Sequence, residues 1–508
     1  MIPASGLFSL GNRSFDQRAG FRFAIAAGLA LLVAACAKVP LATAPVDERA
    51  AIEANLMRDI SVLASDEFGG RRPGTDGERL TVQYLIEQMQ DAGFTSGTND
   101  PGSAWRAAVP LVSTAPREST ISFVLGDSEA TLQAEQAAAF TTGSRALING
   151  LDVVFVGKRG AVEGSEIAGK VVLMLGEPGV SPRRRAQLFE MNPAAIITIV
   201  EDEAAIANVQ RIFGRERLIL ASEEERRLTV FVTDGAMREA LGEARWSDLL
   251  ASADKDDFAP VTLDQKANID ARTNRREFTS ANVIGLLPGQ VRGSGAVVLM
   301  GHWDHLGECG SEEAGDLICN GAIDNASGIA VMLELARRLS ATGPHDRDIY
   351  LLATSAEEAG LLGAKAFVEQ PPVPLDTIVG VFNFDTVAIA PAGSPVGFIG
   401  EGETPLDPII LEVLADSERQ LGNQDYANQF VRRQDGWIFL QEGVPSVFLS
   451  TAFGSQITLG PYLSSDYHRP SDEIEKIQLG GAIDDLLLHE ELIRRIADTE
   501  QYSPPSGQ

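Results

Sequence analysis

The chain has 508 residues, 44% hydrophobic and 22% charged, a composition that builds packed cores and, at this length, more than one domain. Its formal charge of −29 argues against nucleic acid and against an anionic membrane surface as partners, and leaves small or peptidic substrates open.

The N-terminus contains NRSFDQRAGFRFAIAAGLALLVAACAKVP, in which Arg13, Arg18 and Arg22 precede an apolar run from Phe23 to Ala35. A basic region, a short apolar region and small residues before a cleavage point define a signal peptide over residues 1–35. The run is too short and too rich in Ala and Gly for a comfortable membrane span. VAAC resembles a bacterial lipoprotein signal, which implies lipidation of Cys36, export, and anchoring on the periplasmic side of a membrane through lipid alone. Residues 36–48 then read as a tether.

From 49 to 112, apolar residues at spacings of three and four predict two helices around the turn-rich DEFGGRRPGTDG. The segment 113–275 changes to short β-type runs such as LDVVFVG, KVVLMLG and AAIITIV, with no catalytic spacing of ionisable groups, and reads as a separate, mainly β insert. From 276 to 497, apolar runs (GAVVLMG, IYLLATS, TIVGVFNF, VPSVFLS) alternate with helical stretches such as NASGIAVMLELARRLSA. That alternation predicts an α/β fold with a mixed, mostly parallel central sheet flanked by helices. The tail from 498 to 508 reads as disordered. Cys309 and Cys319, ten residues apart in one loop of an exported chain, read as a disulfide rather than a metal site.

Ligand sites in α/β sheets form at the carboxyl ends of strands. In this chain the apolar runs end at His302 with Asp304, lead into Asp324, and end at Glu357 with Glu358 and at Asp385; His468 follows in SSDYHRPSDEIEKI. Taken singly, His302 reads as a core histidine, Asp324 as a helix N-cap, Asp385 as a turn residue and the glutamate pair as a solvated helix start. Together they are a metal-site inventory. Carboxylates and histidines without thiolates suit two Zn²⁺ ions sharing a carboxylate and a water, and such cations offset the repulsion within the Glu357–Glu358 pair. One glutamate of the pair can then bind metal while the other accepts a proton. His305 is read as structural, and His345 and His489 as surface residues.

GHWDHLG, NGAIDNASG, SAEEAGLLG, NFDT and YHRPSDEIEKI, in that order, resemble the five signatures of the di-zinc aminopeptidase family that includes bacterial leucine aminopeptidases, glutamate carboxypeptidase II and the non-catalytic transferrin receptor. ASDEFGGRRPGTDGE resembles that family's N-terminal motif, and GKRGAVEGSEIAGKVVLML its protease-associated insert. The resemblance implies that His302 and Asp385 bind one zinc, Glu358 and His468 the other, and that Asp324 bridges them. It makes Glu357 the general base and Asp304 the carboxylate that orients His302, with a cis peptide bond between Asp324 and Asn325. The chain departs from the pattern at Gly436, after Asp435, where many members have histidine, and at Arg469, where a small residue is usual.

The leading expectation is an exported zinc aminopeptidase acting on peptides. The alternatives are a glutamate-carboxypeptidase-like or dipeptidase activity, for which Arg432, Arg433 and Arg469 lie near the late motifs, and a receptor-like binding protein. A one-zinc glutaminyl-cyclase-like acyltransferase is disfavoured by the complete ligand set. Residue specificity, oligomeric state and the group that binds the substrate amine are not written in the sequence.

Overall fold

The computed structural model describes residues 46–158, 167–311 and 315–504. The 1–35 leader and Cys36 lie outside them. Of the expected tether only residues 46–48 fall inside, where the helix Val46–Leu63 has already begun. No helix among the described residues is long and apolar enough to cross a membrane.

The apolar runs of the C-terminal half become strands covered on both faces. Ala296–His302, Ile378–Asn383 and Ser446–Ser450 are buried at every position, as a helix-flanked parallel sheet requires. Across the sheet the order is Gly397–Ile399, Ser446–Ser450, Ile378–Asn383, Ala296–His302, Asp348–Thr354 and Val261–Leu287. The inner four strands are parallel to one another and the outer two antiparallel to their neighbours. The fold is therefore α/β, mixed and mostly parallel, with helices on its faces.

In the helix Val46–Leu63, Ile52, Leu56, Ile60 and Leu63 recur at helical spacing and enter the core beside Leu333 and Leu335 of the helix Gly328–Thr342. Arg338 of that second helix bonds both Glu48 and Glu490, and Arg337 reaches Asp59 Oδ2 at 2.6 Å. Side chains from three distant parts of the chain thus lock one helical layer over the sheet.

Arg106–Leu125 and Val261–Leu287 pair antiparallel from Arg106↔Val283 to Lys266↔Val124, so the sheet runs unbroken through positions 113 and 275. Beyond them Arg145–Gly157, Val171–Leu175, Ala195–Val200 and Leu228–Thr233 lie parallel in that order. Parallel neighbours need crossover connections, and the segment read as mainly β accordingly contains the helices Ser181–Phe189, Glu203–Phe213, Asp234–Leu241 and Glu243–Ala253. It has an apolar cluster of its own, with Phe155, Ile197, Val230 and Trp246 at its centre.

Two expectations are corrected here. The tail read as disordered from 498 is docked as far as it is described: the Tyr502 carbonyl accepts from Arg347 Nη2 at 2.8 Å, and Thr499 N donates to Asp346 Oδ2 at 3.0 Å. One aromatic anchor outweighs the polar composition around it. His489, read as a surface residue, is fully buried; its Nδ1 donates to the Asp485 carbonyl at 2.7 Å, and its ring meets Phe384 edge-on at 4.7 Å.

Burial lowers the His489 pKa to about 4. Below pH ~6.5 the unfolded chain therefore binds a proton that the folded chain refuses, and stability falls as pH drops from ~6.5 toward ~4. Replacing the residue with leucine removes this term. The stability difference between His489→Leu and wild type, measured by urea unfolding, is expected to shift in favour of the variant by up to roughly 3 kcal/mol between pH 7 and pH 4. A difference that stays constant with pH would refute the neutral buried imidazole.

Candidate metal centre

The sheet delivers its polar residues to one edge. His302 ends the strand Ala296–His302, Glu357 and Glu358 follow Asp348–Thr354, and Asp385 follows Ile378–Asn383. Asp324 lies in the turn Ala322–Ser327 that opens the helix Gly328–Thr342, and His468 comes after the helix Gln456–Ser465. The Asp324–Asn325 peptide bond is cis. Ala356, Thr386 and His468 all have positive φ, a conformation costing about 1–3 kcal/mol for a non-glycine residue and concentrated where function over-determines the backbone.

His302 Nδ1 donates to the Asp304 carbonyl at 3.1 Å, which turns Nε2 toward the carboxylates and leaves it free to take a metal ion or a proton. Nε2 is buried without a hydrogen-bond partner, 3.2 Å from Asp324 Oδ1 and 3.5 Å from Asp385 Oδ1. His468 Nε2 is likewise buried and unpartnered, 3.3 Å from Asp324 Oδ2 and 2.8 Å from Glu358 Oε2. Asp324 thus offers one oxygen to each imidazole. Lone pairs facing carboxylate oxygens repel unless a cation stands between them, so this donor set fits two divalent ions sharing Asp324.

Electrostatics point the same way. Burial alone would lower the His302 pKa, yet Glu357, Asp324 and Asp385 drive it well above the ordinary range; at His468 the same contest, won by Asp324 and Glu358, raises the pKa to about 10. The site demands positive charge at both Nε2 atoms, which protons or metal ions can supply. The adjacent glutamates split. Burial pushes Glu357 well up, whereas for Glu358 burial is overcome by His305 and His468, and its pKa falls. Such a split separates a proton acceptor from a permanently ionised ligand.

The Asp304 carboxylate lies 3.9 Å from His302 Nδ1, and its Oδ1 instead accepts from the Glu357 N–H at 3.0 Å. It holds the backbone of Glu357, while its own carbonyl orients His302. His305, read as structural, sits in the site: its Nδ1 is 2.6 Å from Glu358 Oε1, and His305, Asp324 and Glu358 bring their ligand atoms within 4.8 Å of one another.

Three supporting residues escaped the sequence reading. The Asn325 amide donates to Phe384 O at 2.9 Å and His302 O at 3.3 Å and accepts from Gly328 N at 3.0 Å, tying two strand ends to a helix start. Arg71, fully buried within DEFGGRRPGTDG, binds the carbonyls of Trp303, Leu63, Asn320 and Gly321. Asp472 accepts from Ile323 N at 2.9 Å, Asp324 N at 3.0 Å and the Tyr462 hydroxyl at 3.0 Å. Asp472→Ala is expected to cost about 2–4 kcal/mol through the stranded N–H groups and to weaken zinc binding roughly 10–100-fold by freeing Asp324. A zinc titration against a chromogenic chelator that returned wild-type affinity would reject this role.

At the departures, Asp435 is buried and accepts a short bond from the Thr354 hydroxyl. At Gly436 an added Cβ would press on the side chains of Ser446 and Gln434, which would have to shift. Arg469 is exposed and donates to the Ser465 carbonyl at 3.0 Å. Cys309 and Cys319 are bonded, with Cα atoms 5.8 Å apart, and pin the loop that leads into Asn320 and Asp324. Beside the carboxylates opens a cleft walled by Phe430, Phe448, Phe453, Leu459 and Tyr467, with Arg433 also lining it.

Residues 282–485, the span holding His302, Asp324, Glu357, Glu358, Asp385 and His468, match the model of peptidase family M28. This segment is similar to peptidase family M28. The chain is 33% identical over 116 residues to aminopeptidase YwaD of Bacillus subtilis (strain 168), covering 23% of each protein. It is 34% identical over 116 residues to the alkaline phosphatase isozyme conversion protein of Escherichia coli (strain K12), covering 22% of this chain and 33% of that one. The chain thus matches about a quarter to a third of these relatives' own length. In three dimensions it resembles the aminopeptidase from Aneurinibacillus sp. strain AM-1, with a TM-score of 0.53 and 18% identity over 89% of this chain and 95% of that one. That likeness extends the fold relationship across the segment before the M28 match.

Proposed function

We propose that this protein is an exported, lipid-anchored, zinc-dependent exopeptidase of the M28 type that removes N-terminal residues from peptides. The observation that carries the reading is the convergence of two buried, unpartnered imidazole nitrogens on the two oxygens of Asp324, with Glu357 lining the adjoining cleft. His302 and Asp385 would hold one zinc, Glu358 and His468 the other, and Asp324 both. Zinc bound there supplies Lewis acidity, which polarises a carbonyl and acidifies water.

This chain's own residues do the rest. Glu357, half-buried and with a raised pKa, takes the proton of the attacking water and passes it to the departing amine. Asp304 fixes Glu357 through its backbone N–H. The aromatic wall of the cleft receives an apolar side chain and excludes water. The leader and Cys36 would deliver the enzyme to the periplasmic face.

The test uses the chain from Ala37 onward with aminoacyl-anilides and N-blocked or C-blocked dipeptides. Cleavage that requires a free N-terminus, disappears with a chelator and returns with two equivalents of zinc supports the reading. Cleavage confined to peptides with a free C-terminus would favour the second reading, a carboxypeptidase or dipeptidase. One observation favours that alternative: Arg433 lines the cleft, rests on the Phe430 ring at 5.3 Å, and has no ion-pair partner among the described residues. Two bound metals without cleavage of any peptide would leave a receptor-like binding protein.

A further inference from the structure

A second cavity, of about 480 Å³, is lined in part by the metal-ligand cluster. Asp304, His305 and Glu358 form one side of it, and Arg217, Leu218 and Ile219 of the intervening segment the other. Glu357 lines the apolar cleft and its neighbour Glu358 lines this cavity, so the two spaces meet at the glutamate pair. Arg72 and Glu216, 2.7 Å apart, join the N-terminal motif to the intervening segment along the same cavity.

The far side of the cavity is a sheet edge. Arg217–Leu220 pairs antiparallel with Arg106–Leu125, from Leu111↔Leu220 to Thr114↔Arg217, and among the described residues no strand pairs with its other edge. An open edge presents unpaired backbone N–H and C=O groups, which an extended chain can match with main-chain hydrogen bonds. We infer that the strand Arg217–Leu220 is a docking rail for the substrate polypeptide beyond the scissile bond. The occupant follows from continuity. Whatever lies along this edge adjoins Glu358, and a peptide whose first residue fills the apolar cleft can run past the glutamate pair into this cavity. At ~3.3 Å per residue, the strand serves about four residues after the cleaved bond. Recognition runs through the main chain, so it selects for length and extended conformation rather than for sequence.

This inference rests on the exopeptidase reading, and one peptide series separates the two. With the intact protein, kcat/KM is measured on peptides of two to eight residues sharing one N-terminal residue, and on versions N-methylated at single backbone amides after the cleaved bond. The expected result is a rise of about tenfold from dipeptide to pentapeptide, a plateau thereafter, and loss of the gain on N-methylation of one or two of those amides but not on exchange of their side chains. In Ile219→Pro the pentapeptide-to-dipeptide ratio should fall toward one; a ratio cancels any loss of folded protein, and the methylation series on wild type stands if the variant does not fold. Cleavage with no length dependence, or a gain that survives every N-methylation, overturns the rail and leaves the exopeptidase intact. No cleavage at any length overturns both.

Discussion

Glu357→Gln is expected to lower kcat/KM by about 10²–10⁴-fold while zinc content stays at the wild-type level. Glutamine keeps the size of the side chain and the backbone bond from Glu357 N to Asp304, but it cannot take a proton from water. The neighbouring glutamate should behave differently. Glu358 is held between His305 Nδ1 and His468 Nε2, at 2.6 and 2.8 Å, so Glu358→Gln should lose zinc together with activity. Kinetics combined with metal analysis of both variants separates base from ligand. If Glu357→Gln kept a tenth or more of wild-type activity, or lost its zinc, the assignment of the base would be wrong.

Arg71→Met is expected to be the most destabilising single change in the N-terminal motif. The guanidinium is fully buried and its hydrogen bonds all go to main-chain carbonyls, at Leu63, Trp303, Asn320 and Gly321. Methionine fills much of the volume and leaves those acceptors without donors, at roughly 1–3 kcal/mol each where no water can enter. A net loss of about 4 kcal/mol is a large share of the stability of an ordinary domain. Burial lowers the Arg71 pKa to about 10, against the pull of Asp472, Asp324, Asp304 and Glu358, so at neutral pH it remains a fixed positive charge beneath the acidic cluster. Metal ions would share that compensating task. Thermal unfolding should therefore show a larger loss for the metal-free variant than for the zinc-loaded one, and Arg71→Lys should rescue only part of it, because one ammonium cannot reach the same set of carbonyls. Equal losses with and without zinc would deny the charge a part in the site.

The wall of the apolar cleft and the supports beneath the ligands were not legible in the chain. Phe430, Phe448 and Tyr467 belong to three separate segments, and nothing local marks them as neighbours of Glu357. Asp472 stands in YHRPSDEIEKI, a motif noticed for its histidine, and its grip on the Ile323 and Asp324 N–H groups spans 149 and 148 residues. His305 appeared structural because HWDH has no ligand spacing, yet chain folding puts it against Glu358, 53 residues on. His489 was misread because its helix looks amphipathic; the helix Leu479–Ile496 packs its histidine face against Phe382 and Phe384.

By itself the sequence determined the α/β class of the C-terminal half and the residues that end its strands. Continuous apolar runs, and the first polar residues after them, are local features that survive in any arrangement of the chain. It also carried the family resemblance, because five short signatures in order are a one-dimensional pattern. Only the tertiary structure decided which oxygen of Asp324 meets which imidazole, that Asp304 serves the Glu357 backbone, and that Arg71 reaches carbonyls 232 to 250 residues away. Those facts depend on ångström-scale distances across segments far apart in the chain, and such distances exist only once the sheet has closed and its edge has brought the loops together.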